Sequence, residues 1–202
     1  LKWNVDEGVT TEPVFYCPII PTLLVNGCRS IATGYSTNIH QYNPKDLVSN
    51  LRKRLKGELP DTLTPFFRGF TGSVESAENG FLTRGVYNLD KLLVKISEIP
   101  IGTSISSYKQ YLDGLVDKKL IASYTEKCTD VDVDISVKLV AKGDDDIVTF
   151  LKLASSLRTS NMHLYSSSNQ IRKFSQVAEI EEEHFRARLE AYILRKKHVV
   201  KV

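Results

Sequence analysis

Val131-Asp132-Val133-Asp134-Ile135-Ser136-Val137-Lys138-Leu139 alternates apolar and polar side chains without a break. Successive side chains of an extended strand point to opposite faces, so a period of two predicts a strand with one buried face. This stretch excludes an all-helical fold. Before it, Arg68 to Val74, Gly80 to Leu89 and Lys91 to Ile99 are short, turn-separated and rich in Phe, Val, Leu and Ile, which predicts an antiparallel meander with Asn88-Leu89-Asp90-Lys91 as its second turn. After it, Met162 to Tyr165 and Gln170 to Phe174 read as a short strand pair.

Helices frame these strands. Asn43-Pro44 offers a cap followed by proline at the first helical position, and Leu47, Val48, Leu51 and Leu55 mark one face up to Gly57. The other side carries Lys45, Arg52, Lys53, Arg54 and Lys56, which fits either an ordinary solvated face or a basic contact surface. Thr103 or Ser104 caps a second helix running to about Lys119, with Ile105, Tyr108, Leu112 and Leu115 on its buried side. A final helix begins near Ser175, acidic at its start (Glu179, Glu181, Glu182, Glu183) and basic at its end (Arg195, Lys196, Lys197, His198), as the helix dipole favours. Phe185, Leu189 and Tyr192 step along it by four and three, the spacing of a coiled-coil seam. The expected fold is α/β (α+β), a mostly antiparallel sheet flanked by helices, with a long C-terminal helix leading to a coiled coil.

The bulk properties narrow the function classes. With 202 residues the chain has room for a sizeable core, one domain plus a tail. Its 27 Lys and Arg against 24 Asp and Glu leave a net charge of +3, so any polyanion contact must come from the distribution of charge and not its total. Cys17, Cys28 and Cys128 are odd in number and far apart, which predicts reduced thiols and no disulfide framework. No apolar run approaches the roughly 20 residues that span a bilayer, so no membrane partner is expected. The chain opens at Leu1 without a signal-like pattern and reads as a piece of a longer protein.

Chemistry-bearing residues are sparse. His40, His163, His184 and His198 are scattered and read as structural or exposed, with no Ser-His-Asp or Cys-His set beside them. Asp144-Asp145-Asp146 precedes Ile147, Val148, Phe150 and Leu151; metal binding is conceivable, but carboxylates at a helix start are the better reading because no further ligands stand at metal spacing. No Walker-type loop or dinucleotide glycine fingerprint occurs. An extended leader punctuated by Pro13, Pro18 and Pro21 runs into Asn26-Gly27-Cys28-Arg29-Ser30-Ile31-Ala32-Thr33-Gly34-Tyr35-Ser36-Thr37-Asn38-Ile39, which sets Ile31 among small and polar neighbours. That composition fits a phosphate cradle, a plain turn, or an apolar wedge of the kind that enters between base steps and kinks DNA.

Several blocks in order narrow these alternatives. Pro18-Ile19-Ile20-Pro21 through Leu24-Val25-Asn26-Gly27, then Ser30 to Ile39 and Tyr42-Asn43-Pro44, resemble the segment of type IIA DNA topoisomerases just after the catalytic tyrosine. Pro65-Phe66-Phe67-Arg68-Gly69-Phe70-Thr71-Gly72, Ile96-Ser97-Glu98-Ile99-Pro100, Leu157 to Met162, and Arg188-Leu189-Glu190 with Tyr192, Arg195 and Lys196 are similar to later blocks of the eukaryotic and viral enzymes. The resemblance spans essentially the whole chain. It implies a tower, or shoulder, domain of the DNA breakage-reunion core: residues 1–25 link it to a catalytic winged-helix domain, 26–174 form the tower, and 175–202 start the coiled-coil helix.

The same resemblance implies a function. The parent enzyme, an isomerase that hydrolyses ATP and uses Mg2+, passes one duplex through a transient double-strand break in another, the G-segment. Ile31 falls on the family's intercalating isoleucine. Lys152, Ser155, Ser156, Arg158, Thr159, Ser160 and Asn161, with Arg29 and Thr33 beside the wedge, become candidate phosphate and sugar donors, which position a duplex without reading its sequence. No catalytic residue, metal ligand or cofactor is expected in this piece, because the family's catalytic tyrosine would lie upstream of Leu1. Its partners would be double-stranded DNA, the rest of the topoisomerase chain and a second copy in a homodimer. Arg29, Ser30 and Ala32 depart from the acidic and glycine residues usual in cellular members, and Tyr35 stands for a tryptophan, which points to a viral or protist source such as a large DNA virus. The expected location is intracellular: the nucleus for a cellular enzyme, the host cytoplasm or viral replication site for a viral one. The alternative is a protein-interaction module that dimerises through its last helix and has no DNA affinity of its own.

Overall fold

The computed structural model describes residues 3–14, 16–129, 131–141 and 146–201. They fall into two compact units, Leu1–Phe66 with Asn161–Val202, and Phe67–Ser160. Each has its own apolar core.

The first unit begins with a hairpin of β1 (Trp3–Asp6) and β2 (Val9–Pro13) where the prolines suggested only an extended leader. Glu7 and Gly8 reverse the chain with φ of 47° and 82°, the twist a two-residue hairpin turn needs. Helix α1 (Thr22–Asn26) follows and ends at Gly27. With φ of 69°, and a Cβ there only 2.8 Å from the Ile39 carbonyl oxygen, Gly27 leaves no room for a side chain. From this point β3 (Cys28–Ala32) and β4 (Tyr35–Ile39) pair antiparallel, Ile31 opposite Ser36. The stretch whose composition suggests a loop is therefore a β-hairpin turning at Thr33 and Gly34.

Helix α2 (Pro44–Lys56) starts as expected: the Asn43 side chain accepts from the Lys45 N–H at 3.0 Å, and Gly57 closes the helix in the left-handed conformation. Its faces differ from the apolar count. Leu47 is buried, yet Leu55 is 68% exposed, because it borders an open groove of about 230 Å³ with Val48, Leu51, Phe185 and Leu189. Asn50 takes the interior instead, its amide exchanging hydrogen bonds of 2.9 Å with both the N–H and the carbonyl of Asp61.

The second unit holds two antiparallel sheets. In chain order its elements are β5 (Ser73–Ala77), β6 (Gly80–Arg84), β7 (Val86–Asp90), β8 (Leu93–Glu98), α3 (Ile105–Asp117), β9 (Ile121–Glu126), β10 (Ile135–Leu139), α4 (Ile147–Phe150) and β11 (Ala154–Arg158). One sheet has the order β11-β6-β5 and the other β7-β8-β10-β9, so the expected meander is split between them. The break falls at Gly85, whose N–H leaves for the Leu153 carbonyl at 2.9 Å and where a Cβ would lie 2.3 Å from the Glu98 carbonyl oxygen.

The alternating stretch that predicts a strand from Val131 forms one only over Ile135–Leu139. A turn joins Thr129 to Asp132, each accepting a hydrogen bond from the other's N–H, and Val131 beside it is 90% exposed. Alternation persists in burial within the strand itself, where Ile135, Val137 and Leu139 face inward against Val94 and Ile96 of β8 and Tyr108, Leu112 and Leu115 of α3. The α3 cap is Ser104, accepting from the Ser107 N–H at 3.2 Å. Asp146 caps α4 by accepting from the Val148 N–H at 3.0 Å, the reading preferred from sequence, while Asp144 and Asp145 lie outside the described residues.

The chain then returns to the first unit with β12 (Met162–Tyr165) paired to β13 (Ile171–Phe174), followed by α5 (Val177–Lys201). Met162, Phe174 and Ile180 complete a core with Leu24, Ile39, Tyr42 and Leu47. Burial pushes the Tyr42 hydroxyl up to about 12, because the phenolate would lose its water there. The fold is thus α+β, antiparallel sheets flanked by helices and ending in a helix of 25 residues.

Candidate nucleic-acid interface

Ile31 is 88% exposed, and its strand neighbours Arg29, Ser30 and Ala32 are exposed as well. The β3–β4 hairpin therefore buries neither face along its outer part. A two-stranded hairpin with no covered face is marginal in water, so its position depends on what holds its base and flank. At the base, Ile39 and half-buried Cys28 join the first core.

The flank is held by β12. The Asn38 N–H donates to the Asn161 carbonyl at 2.7 Å, and the Asn161 amide nitrogen donates to Ser36 Oγ at 2.9 Å. His163 Nδ1 lies 3.1 Å from the Ser36 carbonyl oxygen and 3.0 Å from Asn161 Oδ1. Its ring meets Tyr35 edge to face, centroids 5.9 Å apart. Asn161 and His163 are two apart on an extended segment, so both reach the same side, which is the signal in the sequence that points to His163. Tyr35, Ser36 and His163 are absent from the sequence-derived site residues.

Those residues divide between the units. Arg29, Ile31, Thr33 and Asn161 belong to the first and share the hairpin region; Lys152, Ser155, Ser156, Arg158, Thr159 and Ser160 belong to the second. Asn161 is committed to the hairpin through its amide and its carbonyl. In the second unit Ser156 and Arg158 are exposed on one face of β11, an edge strand, whereas Ser155 and Thr159 are half-buried. Ser160 is exposed. Lys152 adopts a left-handed backbone (φ 50°) and its ammonium sits 4.1 Å from the centre of the Tyr111 ring, a cation–π contact.

The basic side of α2 is partly neutralised. Lys53 Nζ pairs with Asp61 at 2.6 Å, and Arg54 turns inward to Glu182, to the Ala178 carbonyl at 3.1 Å and toward Glu181 at 3.9 Å. Lys45, Arg52 and Lys56 stay exposed. Buried Glu181 is raised above the usual carboxylate range by loss of water, against the opposing pull of the Asn50 amide and Arg54. Glu183 is lowered, chiefly because it accepts the Ser167 hydroxyl at 2.6 Å and the Ser167 N–H at 2.8 Å. Among the described residues no three His, Cys, Asp or Glu side chains are grouped to hold a metal, and no helix is long and apolar enough to cross a membrane.

An α+β scaffold that carries an exposed isoleucine on an outlying hairpin, with hydroxyl and basic side chains on a separate strand edge, is built for surface contact. The family model for the A protein of DNA gyrase/topoisomerase IV matches residues 1–202. The chain belongs to that family and corresponds to part of a type IIA topoisomerase breakage-reunion region, similar to the eukaryotic enzymes. It is 37% identical over 210 residues to DNA topoisomerase 2 of Arabidopsis thaliana and 38% identical over 199 residues to that of Meyerozyma guilliermondii, covering 97% and 95% of this chain. It spans 14% of the length of each of these relatives. The solved DNA-binding, cleavage and re-ligation domain of Plasmodium falciparum topoisomerase II superposes with a TM-score of 0.89 at 33% identity, over 99% of this chain and 29% of that one.

Proposed function

We propose that this chain is the tower part of a type II DNA topoisomerase and that it binds and bends the duplex to be cleaved, with Ile31 as the wedge. One observation carries the reading: the outer hairpin presents a branched hydrophobe, 88% accessible, in a chain of this family. An isoleucine left in water beside a two-residue turn contributes nothing to a core. Inserted between base pairs, it recovers that apolar surface while holding open a step whose unstacking costs a few kcal/mol. Sequence preference would follow the ease of deforming the step, because an apolar wedge reads no base edge.

Arg29 and Thr33 flank the wedge and would meet phosphate or sugar oxygens, and Ser156 and Arg158 would add backbone contacts from the edge of β11, with Lys152, Ser155, Thr159 and Ser160 beside them. Residues 1–25 would join the tower (26–174) to a catalytic winged-helix domain. Residues 175–202 would start a coiled coil; the exposed Leu189, Tyr192, Ile193 and Leu194 support a helical partner there, in a homodimeric parent. Strand cleavage, Mg2+ and ATP hydrolysis would then belong to other parts of the polypeptide, acting in the nucleus or at a viral replication site.

The test is Ile31→Ala in the complete enzyme. Energy transfer between dyes at the two ends of a duplex should show loss of the bend, and DNA cleavage should fall with it while DNA-independent ATP hydrolysis stays unchanged. Bending equal to wild type would overturn the wedge.

A further inference from the structure

We propose that His163 is a positioning residue for the wedge, a reading that rests on the role of Ile31. Its Nδ1 faces two oxygens, the Ser36 carbonyl and Asn161 Oδ1, at 3.1 and 3.0 Å. The Asn161 amide is oriented with its nitrogen toward Ser36 Oγ, so both oxygens near Nδ1 are acceptors. Nδ1 therefore carries a proton in the neutral ring, leaving the lone pair on Nε2, and it keeps that proton when the ring is charged. The donor is permanent. It lands on Ser36, the residue directly opposite Ile31 in the hairpin ladder, and the ring rests against Tyr35, opposite Ala32.

These contacts matter because the outer hairpin has no buried face to hold it. A wedge must keep its angle while it separates two base pairs, and the resistance has to come from the strand behind it. Strand β4 receives it from Asn161 and His163, which grip Asn38, Ser36 and Tyr35 in sequence. Removing the Nδ1 donor would leave the Ser36 carbonyl short of a partner and the hairpin free to tilt, without touching the apolar core that keeps the unit folded.

Three substitutions in the complete enzyme separate this role from general packing. His163→Phe keeps a ring against Tyr35 and loses the donor; His163→Gln carries its amide at the Nε2 position; His163→Asn restores a donor near Nδ1. In the duplex-bending assay the bent-to-straight ratio should fall roughly fivefold in the Phe and Gln variants, the size of one lost hydrogen bond, and return to within about twofold of wild type in the Asn variant. Thermal unfolding should be nearly the same in all three. Wild-type bending by both His163→Phe and His163→Gln, with bending lost in Ile31→Ala, would overturn the brace and leave the wedge standing. Wild-type bending by Ile31→Ala would overturn both.

Discussion

The β3–β4 hairpin and the β7-β8-β10-β9 sheet are both antiparallel, yet they are held in opposite ways. In the sheet, Val94, Ile96, Ile135 and Val137 are each no more than 1% exposed and pack beneath α3, so the strands are held by apolar contact. In the hairpin, Arg29 to Ala32 face water, and the register is kept by a crowded glycine at the base and by polar contacts from β12. Burial produces a rigid body that is difficult to use. Polar bracing leaves an apolar side chain free to enter something else.

That contrast can be broken at the core first. Leu112→Ala, at a position with no exposure, removes a side chain that β8 and β10 pack against and should lower stability by about 2–5 kcal/mol. A denaturant midpoint that does not move would mean that the sheet is not held by its apolar face. Next in size is the tie between α5 and the turn before β13. Glu183→Gln weakens two hydrogen bonds from Ser167 and should cost about 1–2 kcal/mol near neutral pH. Because the folded carboxyl is lowered, its contribution is present above the unfolded value and lost as pH falls through the folded one. The melting temperatures of variant and parent should therefore converge in acid, and a gap that stays constant with pH would exclude the ionic origin. The smallest effect belongs to Ile31→Ala, expected to change unfolding free energy by no more than about 0.5 kcal/mol despite its effect on bending. A loss of more than that would make Ile31 a packing residue.

Legibility in the sequence follows the range of the forces involved. Asn43-Pro44, Ser104 and Asp146 cap helices through atoms two or three residues away, and each is readable from its neighbours. Alternation makes the strand from Val131 too long because it does not register a turn whose bonds run between Thr129 and Asp132. A helical repeat puts Leu55 on a packed face because it marks which residues share a side, and not whether anything covers that side. At the candidate interface Ile31 stands out by composition and by resemblance, whereas Asn161, a phosphate candidate on the same grounds, is engaged by the hairpin.

The residues alone determined the helix starts, the α+β class, the exposed isoleucine and the family. Tertiary structure alone decided that the supposed loop is a hairpin, that Gly85 divides the meander between two sheets, and that His163 stands behind Ile31. The physical reason is distance along the chain: caps and periods act within a turn or two, but the hydrogen bond from His163 to Ser36 closes a separation of 127 residues. No local pattern records such a contact, because only the packed core brings its two ends together.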